Sequence, residues 1–569
     1  MNTKQNGKIS IIAPIKRAED IKFLAQSTSC RIFYVYYHKF LDGGFDKIHD
    51  FIKAASEFDS KIYVNFKHNI FENNLPQILD FIEYLKTTQI NGIFVNSYAI
   101  LEALKRSEMP FKVIIDSYFD IHNISGIEFL KTFQKPDGLI ITEEIYTRNI
   151  TKIKQFTHLP LAIDTDNLPW CINDIKKSKA ISLTVIKGDF GSKEEVCKAV
   201  KYIENVIEFP ELYKNKKLPF KHVRKGLYKT NHFTGEILST QGKDFKFSKN
   251  IIPYEWNCKN SRLNKNFDYK SLNLPHFCLR LSSIEQIKKL KSFIEKIGFN
   301  PIYSIEYGEI ISTSDLAKKS FTQVIEYVKK FCFEHGIFLS LSTPKILIER
   351  DFDRVFEYVK QLCLEFPYPN AVIANNIGYF WEFINDAELN NLPIEIGYGI
   401  NLLNSMSMEC LCGLHKIDAI DLSVIKDKEQ IKRSLDKINF LVPRRKLTIA
   451  GNVRIPCLGL CPLNTDSAIN SRLSCMAPCQ RGTFAISDPS LEKLYPIVPD
   501  GFCRMHMYKD KIINLFAYTD EFSKWGINEF VLDLNNLGAK FVPIILTDML
   551  NSQAGIKVTP PDDLGEYNL

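Results

Sequence analysis

The chain has 569 residues and a mass of 65.6 kDa, a length that predicts about three domains of ordinary size. Hydrophobic residues at 45% and charged residues at 24% exclude a mostly disordered, collagenous or coiled-coil chain, and no apolar run approaches the ~18 residues of a membrane span. Net charge is +7, yet Lys214 to Lys270 alone hold 14 Lys/Arg against 4 Asp/Glu, so the basicity is local. The opening MNTKQNGKISIIAP has neither an apolar core nor a small-residue cleavage site, which makes the cytoplasm the expected compartment.

Residues 1–212 alternate short β-branched or aromatic runs with amphipathic stretches, as in KIYVNF, LPQILDFIEYLKTT, GIFVN, AILEALKRS and KVIID, the pattern of repeated β-α units. Residues 213–273 are rich in Lys and interleaved with Phe220, Tyr228, Phe233, Phe245, Phe247, Tyr254 and Trp256; GEILST and KDFKFSK within them read as short strands. Lysines neutralise phosphates and aromatic rings stack bases, so this insert is the expected RNA-binding element, the alternative being a solvated surface packed on a barrel. The β-α alternation resumes at 274 and runs to 551, leaving a tail at 552–569.

The two halves align with each other. VIIDSYFDIHNIS (113–125) laid on IEIGYGINLLNSM (394–406) puts Asn123 on Asn404, and without a gap PDGLIIT (136–142) falls on IDAIDLS (417–423). This predicts duplication of an entire domain. With no GxGxxG and no GxxxxGK[ST] motif, the open-sheet nucleotide binders lose their support. The expected fold is therefore α/β, two tandem TIM-barrel-like domains with a small basic β-rich insert between them and a cysteine-rich metal-binding region in the C-terminal half.

Seven of the 14 cysteines lie between Cys410 and Cys503. Cys457 and Cys461, then Cys475 and Cys479, are two pairs of equal spacing, followed by Cys503, with Pro456, Pro462 and Pro478 breaking regular structure around them. Clustered thiolates outside an oxidising compartment point to Zn²⁺ or an iron-sulfur cluster, and spacing leaves both open.

The C-terminal half, from about 275 to 550, resembles the peptidase U-32 (collagenase-like) family through IGYGINLLNSMSMECLCGLHKIDAIDLSV, the Arg454-Ile-Pro456 turn leading to Cys461-Pro462-Leu463, the Cys475/Cys479 pair and GFCRMHM around Cys503. The first half looks like a degenerate second copy, through FVNSYAILEAL, DIHNIS and ITEEI. The resemblance implies a TIM-barrel-like domain with a 4Fe-4S cluster on Cys461, Cys475, Cys479 and Cys503, Cys457 being the alternative ligand. It also implies oxygen-independent hydroxylation, which known members direct at ubiquinone precursors, tRNA or ribosomal RNA. The family's Ser-x-Glu-Leu motif has a counterpart in Thr142-Glu143-Glu144-Ile145, whereas the second half reads Ser423-Val424-Ile425-Lys426.

In a barrel, reactive residues belong at the C-terminal strand ends. There lie Asn375, Asn376, Tyr398, Asn401, Asn404, Ser423 and Arg454. Arg454, Asn375, Asn401 and Asn404 are the expected substrate-binding residues, Arg454 as a bidentate grip on a small anionic or aromatic substrate. Helix capping is the alternative for the asparagines, and a salt bridge fixing the cysteine loop the alternative for Arg454. His506 is a further candidate acid/base, and no catalytic residue is assigned. The expectation is an iron-sulfur enzyme with a partner protein or electron donor. The alternatives are a noncatalytic binding subunit with a structural metal site and, as the family name has it, a peptidase.

Overall fold

The computed structural model describes residues 9–556 apart from 42–43, 67–68, 106–108, 134–135, 142–149, 165–180, 188–189, 210–236, 240–245, 248–261, 312, 317, 426, 439–441, 459–482, 489–492 and 503. Two eight-stranded parallel barrels account for most of the chain. In the first, β1 (Ser10–Pro14), β2 (Ile32–Tyr36), β3 (Lys61–Asn65), β4 (Gly92–Val95), β5 (Lys112–Ile115), β6 (Gly138–Ile140), β7 (Leu161–Asp164) and β8 (Ile181–Val185) follow in chain order, and β8 pairs back on β1. The α/β, TIM-barrel-like architecture expected from the β-α alternation is the one observed.

From the insert, the described residues supply β9 (Ile237–Ser239) and β10 (Lys246–Phe247), which pair with each other in parallel. Of its aromatic residues, Phe247, Phe267 and Tyr269 are among the described residues and the others lie outside them. The second barrel comprises β11 (His276–Arg280), β12 (Ser304–Tyr307), β13 (Phe338–Ser342), β14 (Ala371–Ala374), β15 (Ile394–Ile396), β16 (Ala419–Asp421) and β17 (Arg444–Leu458). After β17 the chain leaves the barrel through β18 (Phe484–Asp488), β19 (Lys493–Pro499) and β20 (Met505–Asn514), then returns as β21 (Glu529–Asp533), which pairs with both β11 and β17 and closes the ring.

Strand β17 serves two sheets. Its first half lies parallel to β21, whereas its second half pairs antiparallel with β20, in a small sheet ordered β9-β18-β19-β20-β17. The crossover falls at Gly451, whose φ of +101° suits a residue without a side chain and where a Cβ would lie 2.0 Å from the Asp533 carbonyl oxygen. The strand thus carries the barrel wall directly to the cysteine-bearing segment.

The two barrel interiors differ in kind. The first is filled by Ile12, Tyr34, Tyr63, Phe94, Ile114, Ile140, Ala162 and Val185, one inward residue from each strand, all buried. The second is filled by charge. Arg280 binds Glu306 (2.6 Å), Asp421 (2.8 Å) and Asp533 (3.2 Å); Lys446 binds Glu306 (2.9 Å), Glu395 and Glu529 (3.5 Å); Arg444 binds Glu395 and Glu529. Burial by itself would lift the Glu306 and Glu395 carboxyls, but the cations beside them, Arg280 and Lys446 for Glu306 and Lys446 and Arg444 for Glu395, outweigh it and hold both below the usual carboxylate range.

The barrels dock through a pseudo-twofold contact. The helix Ile124–Lys131 packs on Ile377–Asn385, and Tyr98–Lys105 packs on Ser405–Cys412. Asn123 caps its helix by accepting from Gly126 N, and its Nδ2 donates to the Leu347 carbonyl of the other barrel, while Glu349 accepts from Ile124 N (2.9 Å). Asn404 does the same in reverse: it accepts from Ser407 N and donates to the Ile70 carbonyl (2.7 Å), while Glu72 accepts from Ser405 N (2.7 Å). Lys152 and Lys437 complete the two sets by binding Glu349 and Glu72. The sequence alignment of Asn123 with Asn404 is a contact made twice. At Gly378 a Cβ would come within 1.9 Å of Asn123 Oδ1, so only glycine permits this approach of the helices.

Candidate functional site

The mouth of the second barrel is lined by residues of β11 to β17, among them Arg280, Glu306, Ser342, Glu395, Asp421 and Lys446, and by Glu309, Asn375 and Tyr398 just beyond the strand ends. Against two of these residues, Glu309 and Tyr398, stands Arg454, which donates from Nε to Asp533 (2.9 Å) and from Nη1 to Glu309 (2.5 Å), its guanidinium 4.3 Å from the centre of the Tyr398 ring. Burial lowers its pKa, but Asp533 and Glu309 raise it further, so Arg454 is a permanent cation. Among the described residues its Nη2 is buried without a hydrogen-bond partner. Opposite Arg454 across the β17–β20 pair stands Tyr508, whose hydroxyl is likewise buried and unpartnered. Burial pushes this phenol up, so it stays protonated and is a donor.

Two donors with nothing to donate to are costly in a protein interior, about 1–3 kcal/mol for each group. Tyr508→Phe should therefore leave the unfolding temperature unchanged or slightly raised in a thermal melt, because the hydroxyl it removes makes no hydrogen bond among the described residues.

The expected site residues sort into three places. Arg454 is in the mouth. Asn375 lies between the mouth and a cleft separating the barrels; its amide is committed, Nδ2 to Ser342 Oγ and the Thr343 carbonyl, Oδ1 to Gly399 N. Asn401 faces the same cleft, its Nδ2 3.5 Å from Asp120. Asn404 is fully buried in the interface between the barrels, where its side chain caps a helix and binds the Ile70 carbonyl. Asn376 caps Ile377–Asn385, Ser423 bonds Thr448, and His506 is buried with Nε2 3.3 Å from Asp500. Tyr398 donates to Glu309.

Cys461, Cys475, Cys479 and Cys503 lie outside the described residues, as does the Thr142–Ile145 motif. Of Cys457 the backbone is described: it stands opposite His506, and Leu458 stands opposite Met505. The two ends of the cysteine-bearing stretch are therefore paired in one ladder.

Sequence reasoning passed over Glu309, Asp533, Tyr508 and the ion network. The signal was present in SIEY, IEI, AID and EFVLD, where an acidic residue sits within an apolar β-run. In a parallel barrel both strand faces are covered, so such a residue points to an interior ion pair rather than to solvent.

Residues 38–165 match the model of peptidase family U32. The match covers β3 to β7 of the N-terminal barrel and supports a U32 relationship for the chain, in the half whose motifs look degenerate. No curated protein matches the sequence. Among solved structures, the U32 peptidase Mk0906 is 9% identical, with 33% of this chain and 96% of that chain covered at a TM-score of 0.26. The YdjI aldolase from Escherichia coli K12 is 12% identical, with 36% and 91% covered at 0.26, and a truncated 3-deoxy-D-arabino-heptulosonate 7-phosphate synthase from Thermotoga maritima is 15% identical, with 37% and 91% covered at 0.25. Likenesses this distant say nothing about activity. No helix among the described residues is long and apolar enough to cross a membrane.

Proposed function

We propose that the chain is a U32-type iron-sulfur enzyme whose active site is the mouth of the C-terminal barrel, and that it carries out or supports an oxygen-independent hydroxylation. The observation that carries this reading is the Nη2 of Arg454, buried and without a partner among the described residues, on the same strand that leads into the cysteine-bearing segment. The donor set fits the group: the stretch between the paired ends of β17 and β20 holds thiolates, which prefer iron-sulfur or zinc over hard cations. Cys461, Cys475, Cys479 and Cys503 would hold a 4Fe-4S cluster, with Cys457 as the alternative ligand. When bound, such a cluster supplies electron transfer.

The protein's own part is positioning. Arg454 and Tyr508 donate to an oxygen of the substrate, and the ion pairs to Glu309 and Asp533 keep the guanidinium from turning. The charge of Arg454 is already matched by those two carboxylates, and Glu306, Glu395, Asp421 and Glu529 lie deeper in a barrel with only Arg280, Arg444 and Lys446 to balance them. That surplus of acid favours a neutral substrate bearing an acceptor oxygen over an anion. The basic insert is proposed as an RNA contact on composition alone.

The test is iron, sulfide and zinc content with a visible spectrum on anaerobically purified protein, beside Cys475→Ser. About four iron and four sulfide per chain, with the absorption lost in the variant, is the expected result. One zinc and no colour would make the site a structural knot and remove the redox chemistry.

A further inference from the structure

A single carboxylate ties together the chain on both sides of Cys503. Strands β19 and β20 run antiparallel, with Pro499 opposite Met505, and residues 500–504 join them. Asp500 N donates to the Arg504 carbonyl (2.9 Å), and Asp500 Oδ1 accepts from both Phe502 N (2.8 Å) and Arg504 N (2.9 Å). Phe502 and Arg504 are the sequence neighbours of Cys503. The second carboxylate oxygen, Oδ2, lies 3.3 Å from Nε2 of His506, whose backbone stands opposite Cys457. Asp500 is buried, so these bonds are made away from water, where each counts for more.

The same connection is tethered to the contact between the barrels. Arg504 donates from Nη1 to the Phe502 carbonyl and from Nη2 to Asp351 Oδ2 (2.9 Å), and both partners of this ion pair are buried. Asp351 lies in the first turn of the helix Glu349–Leu364. Two residues earlier Glu349 accepts from Ile124 N of the first barrel, and two before that the Leu347 carbonyl accepts from Asn123 Nδ2 (2.8 Å). Residues 347, 349 and 351 thus carry a run of bonds from the first barrel to the residue that follows Cys503. An uncompensated charge in a protein interior is costly, so Arg504 stays on Asp351 and the connection stays with it.

We propose that Asp500 and Asp351 are positioning residues for the Cys503 thiolate, Asp500 by fixing the backbone on both sides of it and Asp351 by anchoring that backbone, through Arg504, to the first barrel. The inference rests on Cys503 being a metal ligand, as proposed above. Partners that orient a ligand set how tightly the metal is held, although they supply no donor atom themselves. The first barrel, to which no ligand is assigned, then keeps a ligand of the second in place.

The test is the rate at which anaerobically purified protein gives up its metal to excess chelator, followed as iron or zinc released per chain. Asp500→Ala should release metal about tenfold faster than the wild type. Asp500→Asn, whose amide oxygen still accepts from both backbone N–H groups, should stay within about twofold of the wild type. Asp351→Asn, which leaves Arg504 a neutral partner, should speed release to a degree similar to Asp500→Ala, and it is read even where Asp500→Ala does not fold. Unchanged release in Asp351→Asn, or Asp500→Asn as fast as Asp500→Ala, would overturn the proposal. Metal held by Cys503→Ser as tightly as by the wild type would overturn it too, and would leave the cluster on the other four cysteines. Zinc in place of iron, released in the expected order by these variants, would support the positioning role and remove the redox reading. A chain that carries neither metal overturns both.

Discussion

Lys446→Met should cost about 3–5 kcal/mol of stability at pH 7, measured by denaturant unfolding, although methionine fills nearly the same volume. Lys446 is buried at the centre of the second barrel, and its ammonium is shared by Glu306, Glu395 and Glu529. Burial alone would lower its pKa, but those three carboxylates raise it further, so the wild-type lysine is charged. Without it, Arg280 and Arg444 are left to neutralise carboxylates that have no access to water. The deficit should shrink with acid, and the sign follows from the carboxyls. In the wild type Glu306 and Glu395 are held low, so their contribution is present above the ordinary carboxylate range and is lost as pH falls through their folded values. In the variant the same groups take up protons more readily when folded, which relieves the repulsion. The difference between the two proteins at pH 5 should therefore be smaller than at pH 7; a constant difference would mean that Lys446 acts by packing.

Asn123→Ala and Asn404→Ala should each cost about 2–4 kcal/mol, Asn123→Ala the more by about 1 kcal/mol. Each asparagine is fully buried, and each holds one backbone N–H of its own helix and one carbonyl of the opposite barrel, Asn123 donating in addition to Asn376 Oδ1 (3.0 Å). Truncation strands both, where a solvent-exposed cap would lose only one bond to water. Ser320→Ala, which removes an exposed cap at the start of Phe321–Glu334, is the control and should cost about 1 kcal/mol. Equal losses at 123 and 404 would show that the additional bond from Asn123 to Asn376 contributes no net stability.

Much of the architecture was legible in the chain. The β-α alternation predicted barrels, and the alignment of Asn123 with Asn404 predicted duplication, because both depend on local periodicity and on residues at fixed offsets. The partner of each asparagine was not legible. Ile70 and Leu347 offer backbone carbonyls, which have no sequence signature. Arg504 looked unremarkable for a similar reason: its partner is Asp351, 153 residues away, and nothing local to Arg504 reports it.

The sequence by itself determined that the chain is built of repeated β-α units in two related halves, that its basic charge is confined to one insert, and that its cysteines gather late. Only the tertiary structure decided which barrel is chemically equipped. Alternate residues of a strand point to opposite faces whether the inner face meets solvent or a closed interior, so Tyr63 and Phe94 in one half and Glu306 and Asp533 in the other read alike as one side of a strand. Closure of the ring turns the first set into an apolar plug and the second into a buried ion network with Arg454 at its mouth.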